Sequence, residues 1–327
     1  MDIYRLLEKG AKEPIPRTSL PAGFSISDQD GEALVVFMDL VEFKANRELF
    51  DLPEDAVREI LDSSQEPNIE FFDDTIFVTM NHIRISGGEG TLTPQEINFV
   101  IGENSMAVIY HGDIEELHNA RRRMDYSSLS KALSSFMDGL LETYRLLIIR
   151  ISDDAEDLED DILQEVQVDS EARTSRSVFR NPDKYMSRIV ALRKEVHLLR
   201  SYFEPTQDII EILANQEDLV GENSSYFHKL TLKAVRLTDQ LNTLIDIIAE
   251  VRSSWQSQVD LSFNKVVKLF TVVTAVFTPL NLLAGWFGMN FENMSLLSHP
   301  LGYPSVIALA ILIPVLSLSW FKRNHYL

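Results

Sequence analysis

The stretch Val266-Val267-Lys268-Leu269-Phe270-Thr271-Val272-Val273-Thr274-Ala275-Val276-Phe277-Thr278-Pro279-Leu280-Asn281-Leu282-Leu283-Ala284-Gly285-Trp286-Phe287-Gly288-Met289 decides the fold. It is 24 residues long and carries one charge, Lys268, near its start. At about 1.5 Å per residue a helix of this length reaches about 36 Å, enough to cross a hydrocarbon core of about 30 Å. A second run, residues 301–321, has no charge at all. A buried helix of a soluble domain can be this apolar. Two such runs separated by a short loop fit a transmembrane hairpin better.

The flanks predict the topology. Lys265 and Lys268 open the first span, Lys322 and Arg323 close the second, and the loop 290–300 between them has Glu292 but no Lys or Arg. By the positive-inside rule both chain ends face the cytoplasm and the loop faces outward. The expected setting is a multi-pass protein of the plasma membrane, with residues 322–327 as a basic cytoplasmic tail. The first ten residues have no apolar core of the kind a signal peptide needs.

Outward from the spans the composition changes. The 327 residues carry a net charge of −20, yet residues 251–327 hold five basic and two acidic side chains, so the first 250 carry −23. Such acidity argues against nucleic-acid binding, which needs a basic face for phosphates. The absence of Cys excludes a disulfide scaffold, a thiolate metal centre and a cysteine nucleophile. No GxxxxGK[ST], GxSxG, HxxxH or HExxH pattern occurs, so no catalytic constellation is predicted and the chain is not expected to be an enzyme. Each of the seven histidines is expected on the surface or in packing rather than on a metal.

Within the first span the polar side chains Thr271, Thr274, Thr278 and Asn281 are spaced three, four and three apart. At about 100° per residue they share an arc of roughly 80°. Asn264 extends this stripe toward the cytoplasm, Val267 lies on it beside Phe270, and Gly285 and Gly288 continue it outward. Two readings stand. Thr and Gly pack helix against helix in membranes. Alternatively, several copies around an axis would present rings of hydroxyls and amides to water, a lining suited to a hydrated cation. Pro279 removes one backbone donor and frees a carbonyl near Ala275. Asn290 lies about half a turn off the stripe, so the helix must turn before it, which Gly288 permits.

The preceding 265 residues read as cytoplasmic. Residues 1–125 are expected to form an α/β domain with strands at 33–38, 69–72, 75–85, 96–101 and 106–110, turns at 87–90 and 102–104, and a helix that Asp51-Leu52-Pro53-Glu54 starts and that runs to about Asp62. Residues 126–220 read as a helical hairpin. Its first helix runs into 153–161, seven acids in nine residues including Asp153, Asp157, Asp160 and Asp161. That run is either a solvated face or a surface that concentrates cations. Asn181-Pro182 breaks the pattern. From about residue 222, Leu230, Leu237, Leu241, Leu244, Ile248, Val251 and Trp255 recur at close to 3.5 residues, a bundle or coiled-coil seam. A stalk helix of about 65 residues, spanning the region 221–290, would join this part to the membrane.

Gly288-Met289-Asn290 at the outer end of the first of two C-terminal spans, Gly302-Tyr303-Pro304 at the start of the second, Phe321-Lys322-Arg323 near the end and Ile69-Glu70-Phe71-Phe72 in the N-terminal region together resemble the CorA family of magnesium and cobalt channels. The resemblance implies a homopentameric funnel with a pore lined by the first span. It makes Gly288, Met289 and Asn290 the selectivity entrance, with Asn290 holding Mg2+ through the ion's own water. Asn264, Thr271, Thr274, Thr278 and Asn281 become pore-lining residues, and Val267 and Phe270 the hydrophobic gate. Mg2+ is the implied cargo and regulator, with Co2+ and Ni2+ as further passengers and no organic cofactor. Two features depart from the family pattern. The external loop has Glu292 and His299 where many relatives are acidic, and Tyr226-Phe227-His228-Lys229 places a cation where some relatives have a regulatory metal-binding acid. The competing readings are a zinc transporter of the same superfamily and a non-transporting membrane-anchored coiled-coil scaffold or sensor.

Overall fold

The computed structural model describes residues 1–6, 12–15, 33–50, 52, 54–62, 66–72, 75–86, 91–112, 122, 124–171, 182–289 and 301–324. Asn290 and the loop after it, including Glu292 and His299, lie outside the described residues, as do the turn at 87–90, Pro53 and Asn181.

Seven strands form one sheet in the order β2-β1-β3-β7-β6-β5-β4. They are β1 (Asp2–Leu6), β2 (Lys12–Ile15), β3 (Leu34–Asp39), β4 (Asn68–Phe72), β5 (Thr75–Ser86), β6 (Thr91–Ile101) and β7 (Ser105–Tyr110). Every neighbouring pair is antiparallel except β3 with β7, which run parallel. The helices that separate β3 from β4 make one face of the core. α1 (Leu40–Ala45) starts at a capping box in which Asp39 accepts from the Glu42 amide at 2.7 Å and Glu42 accepts from the Asp39 amide at 3.1 Å. α2 (Glu54–Leu61) buries Ala56, Val57 and Ile60 on one side. These three pack with Phe43 and Phe50 on Val36, Met38, Phe77, Val100, Ala107 and Ile109 of the sheet.

The sequence reading omits β1 and β2 and starts β6 five residues late, at Glu96 instead of Thr91. Both omissions have a cause in local chemistry. β1 and β2 are short, and β2 contains Pro14, which an edge strand tolerates because one of its sides has no ladder to donate to. Pro94 lacks an amide to donate to a ladder and so weakens the strand pattern, yet it sits opposite Ile83 in the β5–β6 ladder.

Three long helices follow: α3 (Leu129–Glu171), α4 (Pro182–Ala214) and, after the short α5 (Glu217–Val220), α6 (Ser224–Phe287). α7 (Gly302–Arg323) is last. Two compact units emerge, one of Met1–Asp161 with Asn181–Arg252, the other of Ile162–Arg180 with Ser253–Leu327. In the first unit α3 lies on the other sheet face. There Phe136 meets Phe37 and Phe99, with centroids 6.4 and 5.3 Å away, and the Tyr144 hydroxyl donates to the Asn81 carbonyl at 2.9 Å. The α6 seam closes this unit. Leu230, Leu237, Leu241, Leu244, Ile248 and Val251 are all buried, and Lys233 reaches Asp138 of α3 at 2.6 Å. The acidic run lies on the wet side of α3. Ile151, Ala155, Leu158 and Ile162 are buried, while Asp153, Asp157, Asp160 and Asp161 are exposed.

Candidate ion pathway along the first span

α6 and α7 each contain an 18-residue window apolar enough to cross a membrane, with mean hydropathies of 1.8 and 2.1, and only 6% of either window is buried. A soluble core helix would hide such a window. Here Leu269, Phe270, Val273, Phe277, Leu282 and Trp286 of α6 are all exposed, as are Ile311, Leu312, Val315 and Leu316 of α7. Surface of this kind needs lipid or another apolar surface against it.

The exposure is not uniform around α6. Val272 is 5% exposed, and Ala275, Val276, Pro279, Leu280, Leu283 and Phe287 are half-buried. At about 100° per residue these positions share one side of the helix. Thr271, Thr274, Thr278 and Asn281 lie on the opposite side and are exposed. The stripe is therefore not sealed inside the chain's own hairpin.

A groove of about 630 Å3 follows that exposed side. It brings together Val267, Phe270, Thr271, Thr274 and Thr278, with Phe263, Val266 and Ala275 beside them. Asn264 and Asn281 are exposed but do not line it. The sequence reading leaves out Phe263, Val266 and Ala275 as lining residues. The signal for Phe263 was available, since 263, 267, 270, 274 and 278 form one ridge of three- and four-residue steps, whereas Val266 and Ala275 lie off that ridge.

One hydroxyl on this face has a fixed sense. Thr271 donates to the Val267 carbonyl at 2.8 Å. That bond spends its one proton on the backbone and leaves oxygen lone pairs to face outward as acceptors. Helix α6 continues through Pro279 to Phe287. Its end is fixed by the Gly288 amide, which donates to the Ala284 carbonyl at 2.9 Å, and Met289 beyond it is 49% exposed. Of the three residues expected at the entrance, Gly288 and Met289 lie at the helix end, and Asn290 is outside the described residues.

Other candidate sites are less convergent. Among the described residues no three His, Asp or Glu side chains gather as a metal site. Part of the acidic run is already paired, Asp161 with Arg188 at 2.9 Å and Asp154 with Arg150 at 3.5 Å. Lys229 lies 5.7 Å from the Tyr226 ring centroid, and Lys131 lies at the same distance, so this contact is cationic.

Known proteins agree with this architecture. The family profile described as CorA-like Mg2+ transporter protein matches residues 40–323. The cobalt/magnesium transport protein CorA of Thermotoga maritima is 26% identical over 287 residues, covering 86% of this chain and 78% of that protein. The magnesium transport protein CorA of Wolinella succinogenes is 22% identical over 289 residues, covering 85% and 84%. The complete structure of the CorA magnesium transporter from Methanocaldococcus jannaschii superposes with a TM-score of 0.79 at 17% identity, over 100% of this chain and 98% of that one. An α/β domain, long helices and two apolar C-terminal helices thus recur together, and the chain belongs to the CorA-like Mg2+ transporter protein family, a family of divalent-cation transporters.

Proposed function

We propose that this protein is a channel that conducts hydrated Mg2+ down its electrochemical gradient, with Co2+ and Ni2+ as further cargo. The observation that carries this reading is the exposed stripe of Thr271, Thr274, Thr278 and Asn281 on the side of α6 opposite its covered face. Copies of the chain arranged about an axis, five by the resemblance to CorA, would turn these stripes toward shared water. Mg2+ dehydrates reluctantly and keeps several waters. Neutral oxygens such as the Thr271 hydroxyl accept hydrogen bonds from that water shell without stripping it or holding the ion as a carboxylate would.

Gly288, Met289 and Asn290 form the entrance in this reading, with Asn290 meeting the ion through its bound water. Val267 and Phe270 form apolar rings that stop flow by dewetting when the helices close. The lysines at 265, 268 and 322 and Arg323 hold both termini in the cytoplasm of a plasma-membrane protein. A membrane potential supplies about 2.3 kcal/mol per charge per 100 mV, twice that for a divalent ion, so no nucleotide site is required. Asp153, Asp157, Asp160 and Asp161 raise the local cation concentration on the cytoplasmic side, and Glu292 does so more weakly outside.

The test is uptake into liposomes holding the purified protein under an inward-negative potential. Wild type should take up Mg2+, and Asn290→Ala should remove that uptake while leaving the assembly intact. Equal uptake by both proteins rejects the entrance, and no Mg2+ uptake by wild type rejects the channel. Parallel measurements with Zn2+ separate a zinc transporter from a magnesium channel.

A further inference from the structure

On the sheet face covered by α1 and α2, the apolar core gives way to a polar patch at the β5–β6–β7 end. Asn81 and Glu96 are directly opposed residues of β5 and β6, so their side chains share a face. His111 follows β7, and its amide donates to the Glu96 carbonyl at 3.3 Å. Glu96 is 2% exposed and Asn81 is 4% exposed. The Glu96 carboxylate is held in place: the Asn98 amide donates to its Oε1 at 2.7 Å, and Asn98 in turn accepts from the Thr79 hydroxyl at 2.8 Å.

The His111 Nε2 lies 3.6 Å from this Oε1, with a side chain 13% exposed. The imidazole makes a hydrogen bond to the backbone of Ile60 in α2. Nε2 has no hydrogen-bond partner, so Nδ1 is the donor in that bond. A neutral imidazole with its proton on Nδ1 presents a lone pair at Nε2. That lone pair faces the Glu96 Oε1 across the 3.6 Å separation. The Asn81 Oδ1, a third acceptor on the same face, is buried and unpartnered. Two unpartnered buried acceptors, the His111 Nε2 and the Asn81 Oδ1, thus belong to residues that flank Glu96 from the end of β7 and from β5.

We propose that Glu96, His111 and Asn81 form a binding site for a divalent transition-metal ion such as Zn2+ or Co2+, distinct from the ion pathway. Two ligand atoms about 2.1 Å from one ion, at a tetrahedral to trigonal angle, lie about 3.4–3.6 Å apart, which the Nε2–Oε1 separation matches. An imidazole nitrogen in the set favours these ions over Mg2+. Asn98 and Ile60 act as the outer hydrogen-bonding partners that orient the carboxylate and fix the imidazole tautomer. Because Ile60 belongs to α2, an ion here ties the end of that helix to the sheet.

The experiment is equilibrium dialysis of the full-length protein in detergent against Zn2+, with excess Mg2+ present to fill oxygen-only sites. Wild type should retain one Zn2+ per chain and melt at a higher temperature with Zn2+ than without. Glu96→Gln, which keeps the shape and the bond from Asn98, and His111→Gln should lose this Zn2+ and its thermal effect. Asn81→Asp, which replaces a neutral oxygen by a carboxylate, should bind it at least tenfold more tightly. Wild type that retains no Zn2+, or variants that all bind as wild type does, would overturn the site. Mg2+ uptake is not the readout, so this outcome is independent of the conduction reading.

Discussion

A Cβ built on Gly288 would lie 2.8 Å from the carbonyl oxygen of Ala284. Real Cβ atoms do not approach a backbone oxygen so closely, and this oxygen is held by the Gly288 amide itself at 2.9 Å. Glycine is therefore required where the first span ends, for close approach and not for a positive φ. Gly285, one turn earlier, has nothing within 4 Å of its Cβ position. Gly288→Ala should shift the helix end and lower Mg2+ uptake in liposomes about tenfold or more, whereas Gly285→Ala should conduct as wild type does. The comparison is internal, because both changes add one methyl group to the same helix. Equal uptake by the two variants would remove Gly288 from the entrance.

The chain contains no Cys, so single cysteines report on their surroundings without background. Cysteine at Thr271, Thr274 or Thr278 should react with a membrane-impermeant thiol reagent, and bulky labels there should block uptake. Cysteine at Val272 or Val276, on the covered side of α6, should stay unmodified. Reaction at thiolate-forming positions follows access to water. Modification at 272 and protection at 274 would mean that the stripe is turned into protein or lipid.

That stripe is legible in the sequence because a membrane helix written in Val, Leu and Phe makes every Thr conspicuous, and steps of three and four place them together without tertiary information. The buried seam from Leu230 to Val251 is legible for the same reason. Other features need contacts between distant residues. Glu96 and His111 are fifteen positions apart and meet only through the β6–β7 ladder, which carries no trace in local composition. Helix α1 is six residues long, too short for a periodic signal, although Asp39 and Glu42 spell its capping box. Val266 and Ala275 line the groove but resemble any other apolar residue of the span. The covered side of α6 is also hidden from the sequence, because Val272 and Val273 are chemically the same and only packing distinguishes them.

His111 makes stability depend on pH. Its folded pKa is lowered, chiefly by burial, with the Ile60 backbone opposing and Lys44 adding to the shift, and Glu96 is the acid that faces it. The unfolded imidazole keeps its ordinary value of about 6.5. Between the lowered folded value and about 6.5 the unfolded chain binds more protons, so stability falls as the solution is acidified through that window and is complete above it. In metal-free buffer, urea unfolding followed by circular dichroism should show this decline for wild type and a flatter profile for His111→Gln. Identical slopes would mean that His111 titrates alike in both states.

Arg150 and Glu195 join α3 to α4 at 3.0 Å, and they predict the opposite dependence. The carboxyl of Glu195 is raised above its ordinary value because burial outweighs the pull of Arg150, and Asp154 adds to the rise. Burial therefore costs more than the bridge returns, and the arginine is needed chiefly because the carboxylate is already there. Arg150→Ala should cost about 1–3 kcal/mol at neutral pH, the price of a partly buried charged group left without its hydrogen-bond partner. A raised acid binds its proton more readily when folded, so the penalty should shrink as pH falls toward the carboxylate range, where Glu195 becomes neutral. Arg150→Ala with Glu195→Gln should recover most of the loss at neutral pH, since no buried charge remains. Urea unfolding of both variants across that range decides the matter: a penalty for Arg150→Ala that stays constant with pH, or a double variant no more stable than the single one, would show that Arg150 acts through packing of its stem and not through the charge of Glu195.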